Sequence, residues 1–181
     1  VAGKYDHKGE SVVYGDTDSV YFSAYKTLQK EITEEIIPWT KDSVVALYDR
    51  ISDEVNTSFK AFMTKAFHTP STRGEVIAAG RELVASKGLF ITKKRYALLY
   101  YDKEGTRADV EGKDGKMKAM GLDLKRSDTP VFVQDFLSEI LYMVLQGKDE
   151  KIVLDRISEF RAEFKARPGW EKGSPKRANN M

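Results

Sequence analysis

Between Lys41 and Phe67 the apolar residues return as Val44, Leu47, Tyr48, Ile51, Val55, Phe59, Phe62 and Ala66. That three-and-four spacing marks one helical face and predicts an amphipathic helix over about Asp42–Phe67, its stripe buried as core and carrying no chemistry. The same period recurs as Val133, Phe136, Leu137, Ile140, Leu141, Val144 and Leu145, which predicts a helix over Val131–Gln146 ended by Gly147. Ser127–Pro130 reads as its start, with Asp128 or Thr129 as N-cap and Pro130 in the first turn. Val153, Ile157, Phe160 and Phe164 predict a further helix from about Asp149 to Lys165, and so short a link implies an antiparallel pair. A short helix is expected between Lys26 and Ile37, before the break at Pro38.

Elsewhere the period shortens. Val76–Ala79, Leu83–Ala85, Leu89–Ile91 and Tyr96–Tyr101 are β-prone runs punctuated by Gly80, by Lys87-Gly88 and by Lys103-Glu104-Gly105, so they predict strands of one antiparallel sheet. Residues 102–118, rich in Lys, Glu, Asp and Gly, predict a mobile hairpin loop. Near the start, Glu10–Val13 and Val20–Ser23 flank Gly15-Asp16-Thr17-Asp18, which predicts a β-hairpin with two acids at its tip. The expected class is α+β, an antiparallel sheet with an acidic hairpin backed by the long helix, followed by a helical segment.

At 181 residues the chain can build one domain with a real core or one and a half small ones, and the first residue is Val rather than Met, which suggests a fragment or a processed chain. It has no cysteine, hence no disulfide framework, no thiol nucleophile and no Cys zinc site. His7 and His68 lack metal-ligand spacing. No apolar run approaches the ~20 residues of a membrane span, so the expectation is a soluble protein of the cytoplasm without a membrane partner. The net charge of +2 is unevenly spread. Residues 1–60 hold 7 Lys/Arg against 11 Asp/Glu, net −4, residues 87–126 hold 11 against 6, net +5, and residues 165–181 hold 5 against 1, net +4. An acidic end followed by basic segments suits a metal-bound phosphate beside a polyanion.

The acids are Asp16 and Asp18, two apart, and in an extended chain such residues point the same way. Their mutual repulsion calls for a counter-charge, and oxygen ligands without nearby His or Cys favour Mg²⁺ or Mn²⁺ over zinc. An Asp-x-Asp taken alone reads first as a solvated turn and only second as a metal site. Lys93-Lys94-Arg95-Tyr96 also has two readings. It is either a charged strand edge that resists aggregation, or three phosphate contacts followed by an aromatic face for a base or sugar edge.

The full hexapeptide Tyr14-Gly15-Asp16-Thr17-Asp18-Ser19 between two apolar strands resembles the palm-domain metal hairpin of family B DNA polymerases, the replicative enzymes of T4-like phages, eukaryotes and archaea. Lys93-Lys94-Arg95-Tyr96-Ala97-Leu98 downstream resembles that family's Lys-Lys-x-Tyr motif, in which the lysines hold the primer end and the tyrosine lies toward the minor groove. Gly121 to Pro130, with Arg126-Ser127-Asp128, is similar to the segment by which the family leaves the palm for the thumb, and Lys87-Gly88 fits the same pattern. Glu82 resembles a supporting acid that T4-like members place near the metal hairpin, although Gly80 stands where they carry a further acid; a plain surface strand glutamate is the other reading. Gly173–Asn180 resembles a thumb segment that runs along duplex backbone, or else a disordered end.

The resemblance implies palm over residues 1–128 and the beginning of a thumb over 129–181. It implies nucleotidyl transfer with two Mg²⁺ (or Mn²⁺) ions, Asp18 as bridging ligand, Asp16 beside it, and Thr17, Ser19 and Glu82 in support. Lys87, Lys93, Lys94, Arg95, Tyr96, Arg126, Lys176 and Arg177 would contact primer–template DNA. A deoxynucleoside triphosphate, a sliding clamp and an amino-terminal polymerase part are the other implied partners. That part would supply a further palm aspartate, the fingers and the exonuclease, so the chain alone is expected to be inactive, as a split subunit or a piece of a longer gene. A DNA-binding module without chemistry is the alternative. An unrelated sugar-nucleotide transferase would need Gly-rich βα turns that the sequence lacks.

Overall fold

The computed structural model describes residues 11–110, 112–122, 124, 126 and 128–173. The chain is a mixed α/β structure of antiparallel strands and helices that divides into two compact units, residues 1–84 with 101–107, and residues 85–100 with 108–181.

In the first unit, β1 (Val12–Gly15) and β2 (Val20–Phe22) form the expected hairpin, with Gly15 opposite Val20 and a bulge at Val13. A five-residue helix, α1 (Gln29–Thr33), is all that forms of the helix expected over Lys26–Ile37. The long helix α2 runs over Lys41–Phe67, opened by a capping box between Thr40 and Ser43 and closed by His68 in the left-handed region at φ 52°. Its buried residues Val44, Leu47 and Ile51 come from the predicted stripe, but the far end of that stripe is not core: Phe62 is 54% exposed and Ala66 is exposed too. Ala24, Leu47 and Ile51 make one core, packed by Phe22, Leu28, Trp39, Tyr48 and Val55. Val44, Val84 and Tyr101 make a second.

The strand expected at Val76–Ala79 does not form. A 3-10 helix, Ser71–Val76, precedes that run and takes in only its first residue, and Gly74 is why this helix can sit on α2. A Cβ on that residue would stand 2.6 Å from the Cα of Lys60 and 3.1 Å from the Phe59 carbonyl oxygen. The extended residues that follow are held by Asn56, whose side-chain amide donates to the Ala79 carbonyl at 2.9 Å and accepts from the Ala79 N–H at 2.7 Å. Arg81 then donates to Asp102 at 2.6 Å and to Asp49 at 2.5 Å, and Asp102, 1% exposed, also accepts from the Gly105 N–H. Burial disfavours the Arg81 charge, but the hydrogen bonds to Asp49 and Asp102 outweigh it and raise the pKa above its ordinary value.

β3 (Leu83–Thr92) and β4 (Arg95–Lys103) run through both units. β3 passes straight through Lys87-Gly88, where the sequence pattern predicts a break. Gly88 is small for packing: its Cβ would lie 2.9 Å from Leu98 Cδ2 and 3.0 Å from Phe90 Cε2. β4 turns back at Glu104-Gly105, φ 50° and 81°, into β5 (Thr106–Arg107), so Asp102 pairs with Arg107 and Lys103 with Thr106.

In the second unit, β6 (Lys116–Met120) pairs antiparallel with β4, Tyr96 opposite Met120 through to Tyr100 opposite Lys116. A strand therefore ends the stretch 102–118 that reads as a loop. Ala97, Leu99 and Leu145 form this unit's core, with Leu89, Met117, Ala119, Leu122, Leu141 and Tyr142 against it. α3 (Val131–Gln146) ends at Gly147 as expected, φ 74°, and α4 (Glu150–Ala166) opens on Asp149, whose carboxylate accepts from the Lys151 N–H at 2.8 Å. Phe136 and Phe160 stack at 3.6 Å, and Arg156 reaches from α4 to Glu139 on α3 at 2.8 Å. A four-residue helix, α5 (Gly169–Lys172), follows. The expected N-cap of α3, Asp128 or Thr129, does not form: Pro130 occupies that position without a side-chain cap, and Asp128 instead accepts two hydrogen bonds from Arg126 at 2.9 and 2.7 Å.

Candidate metal and nucleic-acid site

The acidic tip is built from its flanks. β1 and β2 stop at Gly15 and Val20, and the Asp16 N–H donates to the Ser19 carbonyl at 2.9 Å, leaving Thr17 and Asp18 at the apex. The two acids therefore lie in the turn, where the alternation of an extended strand does not apply. Asp16 is oriented by its neighbours. One carboxylate oxygen accepts from the Thr17 N–H at 2.9 Å and the Thr17 hydroxyl at 3.4 Å, the other from the Tyr14 hydroxyl at 3.4 Å. Asp18 is exposed and Ser19 half-buried.

The hairpin is fixed behind this tip. The Tyr14 and Tyr21 rings pack at 5.8 Å, Phe22 meets Tyr48 of α2 edge-on at 5.4 Å, and the Tyr48 hydroxyl accepts from the Ala24 N–H at 3.1 Å. The Ser23 N–H donates to the Ser11 carbonyl at 2.7 Å. Tyr14 is not among the residues that the sequence marks for the site; it is the hydrogen bond from its hydroxyl to Asp16 that brings it in.

Asp16 and Asp18 offer hard oxygen donors that fit Mg²⁺ or Mn²⁺, yet no group of three or more His, Cys, Asp or Glu residues comes together among the described residues. Two carboxylates cannot complete an octahedral site of six ligands, so further ligands must come from water, substrate or other segments. Glu82 is exposed, one residue before β3, and its carbonyl accepts from the Glu104 N–H at 2.8 Å.

In the second unit, Lys93 and Lys94 are the two-residue turn between β3 and β4, both exposed, with Lys94 at φ 60°. The expected gripping strand is thus a hairpin tip at its cationic end. Arg95 opens β4 and is exposed; Lys87 stands exposed within β3. Tyr96, expected to offer its face to a base or sugar edge, is buried at 5% exposure with its ring stacked on Phe90 at 5.7 Å. Arg126 is exposed and bidentate with Asp128, and that hydrogen bonding holds the Asp128 carboxyl below its ordinary range. Lys176 and Arg177 lie outside the described residues.

Comparison with known proteins gives one family. The family model "DNA polymerase family B" matches residues 4–168. The DNA-directed DNA polymerase of Escherichia phage RB69 is 35% identical over 150 residues, 77% of this chain and 16% of that protein. The DNA-directed DNA polymerase of Enterobacteria phage T4 is 26% identical over 163 residues, 85% of this chain and 17% of that protein. DNA polymerase 037L of Invertebrate iridescent virus 6 is 28% identical over 155 residues, 83% and 11%. The chain thus spans about a sixth of the length of the two phage relatives.

Proposed function

Because the chain belongs to DNA polymerase family B, we propose that it forms the carboxy-terminal palm, residues 1–128, and the start of the thumb, residues 129–181, of a template-directed DNA polymerase. The observation that carries this reading is the hairpin tip, where Tyr14 and Thr17 orient the Asp16 carboxylate beside an exposed Asp18. Asp18 would be the principal ligand for Mg²⁺ or Mn²⁺ and Asp16 the supporting charge, with Thr17 and Ser19 shaping the turn and Glu82 as a further acid. When bound, two such ions activate a primer hydroxyl and stabilise a leaving pyrophosphate. Lys93, Lys94 and Arg95 grip primer phosphates, Tyr96 supports their turn from the core, and Lys87, Arg126, Lys176 and Arg177 lengthen the basic track along the duplex. Partners are primer–template DNA, a deoxynucleoside triphosphate, an amino-terminal polymerase part and a sliding clamp.

A second reading, duplex binding without chemistry, is favoured by the lack of a third ligand beside Asp16 and Asp18 among the described residues. The two separate when the chain is mixed with the amino-terminal part of such a polymerase and templated extension is measured. Extension that needs both parts and falls at least ~100-fold with Asp18→Asn supports catalysis, by analogy with the removal of an electrostatic transition-state interaction. Extension indifferent to Asp18→Asn defeats catalysis at this hairpin, and extension by the 181-residue chain alone defeats the need for an amino-terminal part.

A further inference from the structure

Gly121 follows the last residue of β6, and Met120 is paired with Tyr96 at the start of β4, so the glycine lies over the Lys93–Lys94 turn. Its φ is 64°, and a Cβ there would stand 2.0 Å from the Lys94 carbonyl oxygen and 3.1 Å from both the Lys94 carbonyl carbon and Arg95 Cγ. The 2.0 Å obstacle is backbone, which cannot swing aside as a flexible side chain does. Lys94 itself sits at φ 60°, a left-handed conformation that a residue bearing a Cβ seldom adopts. Gly105, Gly112 and Gly147 have φ of 81°, 75° and 74°, yet nothing lies within 4 Å of where their Cβ would be. Only Gly121 of these four needs both the conformation and the space.

We propose that Gly121 is the positioning residue for the cationic turn, its missing side chain setting where the backbone of Lys94 rests and hence where the Lys93 and Lys94 ammonium groups meet a nucleic-acid phosphate. Lysine stems are long and rotationally free, so the position of the backbone from which they leave sets the region their ammonium groups can reach. This deepens the DNA-binding role proposed for the turn and rests on it.

The test compares the 181-residue chain with Gly121→Ala, Gly147→Ala and Lys93→Gln/Lys94→Gln, using amide hydrogen exchange and the salt dependence of binding to a primer–template duplex. Gly121→Ala is expected to speed exchange at residues 94–96 and to flatten the slope of log K against log salt by about 0.9 for each phosphate that the turn no longer reaches. It should add nothing to the slope change of the double lysine variant. Gly147→Ala carries the same left-handed strain without the overlap and should do neither. If Gly121→Ala fails to fold, Lys94→Gly in the same chain is expected to restore folding, because a glycine turn yields to the added Cβ. Unchanged exchange at 94–96, an equal effect of Gly147→Ala, or no rescue by Lys94→Gly overturns the proposal. A double lysine variant that binds duplex like the parent defeats the DNA-binding reading instead, and exchange still decides the positioning role.

Discussion

Two residues with the same letter carry opposite lessons about how far a sequence can be read. Gly147 is legible, because a glycine after the last apolar residue of a helical period has one common use, the left-handed C-cap it adopts at φ 74°. Gly74 is not, since its reason for being small is the Cα of Lys60, a neighbour across space that no local pattern names. Gly74→Ala forces α2 and the 3-10 helix apart, and overpacking of that kind costs about 1–3 kcal/mol, readable as a lower urea midpoint at unchanged slope. Arg81 and Asp102 are equally hidden. Nothing in the local pattern marks either residue, yet the side chain of Arg81 is 10% exposed and that of Asp102 is 2%. Asp102→Ala leaves buried Arg81 with only Asp49 and strands the Gly105 N–H, so a loss of about 3 kcal/mol is expected by urea denaturation. Arg81→Met with Asp102→Leu together should recover part of it, because no buried charge then remains. Parental stability in Asp102→Ala alone would show the pair to be dispensable.

At the level of elements, legibility follows how much of an element's identity is local. α2 announces itself through eight apolar positions on one face, and its observed span, Lys41–Phe67, differs from the expected one by a single residue. The acidic hairpin is equally plain, since Gly15 and the acids supply its turn in four letters. β3 reads as two strands because Lys87-Gly88 looks like a turn, although in the structure the glycine lies within the strand with the Leu98 and Phe90 side chains close against it. β6 hides despite Lys116-Met117-Lys118-Ala119, an alternation that puts Met117 and Ala119 into the core with Leu99. Its lysines and flanking glycines outweigh the period. The joint between α3 and α4 offers a pH test. Hydrogen bonding from Arg156 lowers the Glu139 pKa below its ordinary 4.5. A depressed carboxylate contributes stability above its unfolded value and loses that contribution as pH falls through the lower folded value. The chain is therefore expected to lose stability below about pH 4.5, and Arg156→Met should flatten that part of a melting-temperature profile. Glu139 is 45% exposed in its side chain, so the change should be small and should shrink in salt. A profile unaltered by Arg156→Met would mean the ion pair does not bias folding.

For the whole molecule the informative property is the separation of charge, which a net value of +2 conceals. The first sixty residues are net acidic and residues 87–126 net basic, so a polyanion meets repulsion from one and attraction from the other. If Asp16 and Asp18 face the same duplex that Lys93, Lys94 and Arg95 hold, the carboxylates oppose binding when bare and assist it when a divalent cation sits on them. The sign of a neutralising substitution must then depend on the medium. With chelator present, Asp16→Asn/Asp18→Asn is expected to tighten primer–template binding, since two negative charges are removed from beside phosphates. With millimolar Mg²⁺ the same variant should bind more weakly than the parent, having lost the bridge between protein and nucleic acid. Lys93→Gln/Lys94→Gln/Arg95→Gln should weaken binding in both media and flatten the salt slope by about 2.7, at roughly 0.9 per phosphate. Ionic strength must be matched between the two media, because screening by Mg²⁺ alone would also weaken the cationic contacts. Fluorescence anisotropy with a labelled duplex reads all three quantities. A single sign for the aspartate variant, the same with and without Mg²⁺, would show that the acidic hairpin and the basic turn do not serve one ligand.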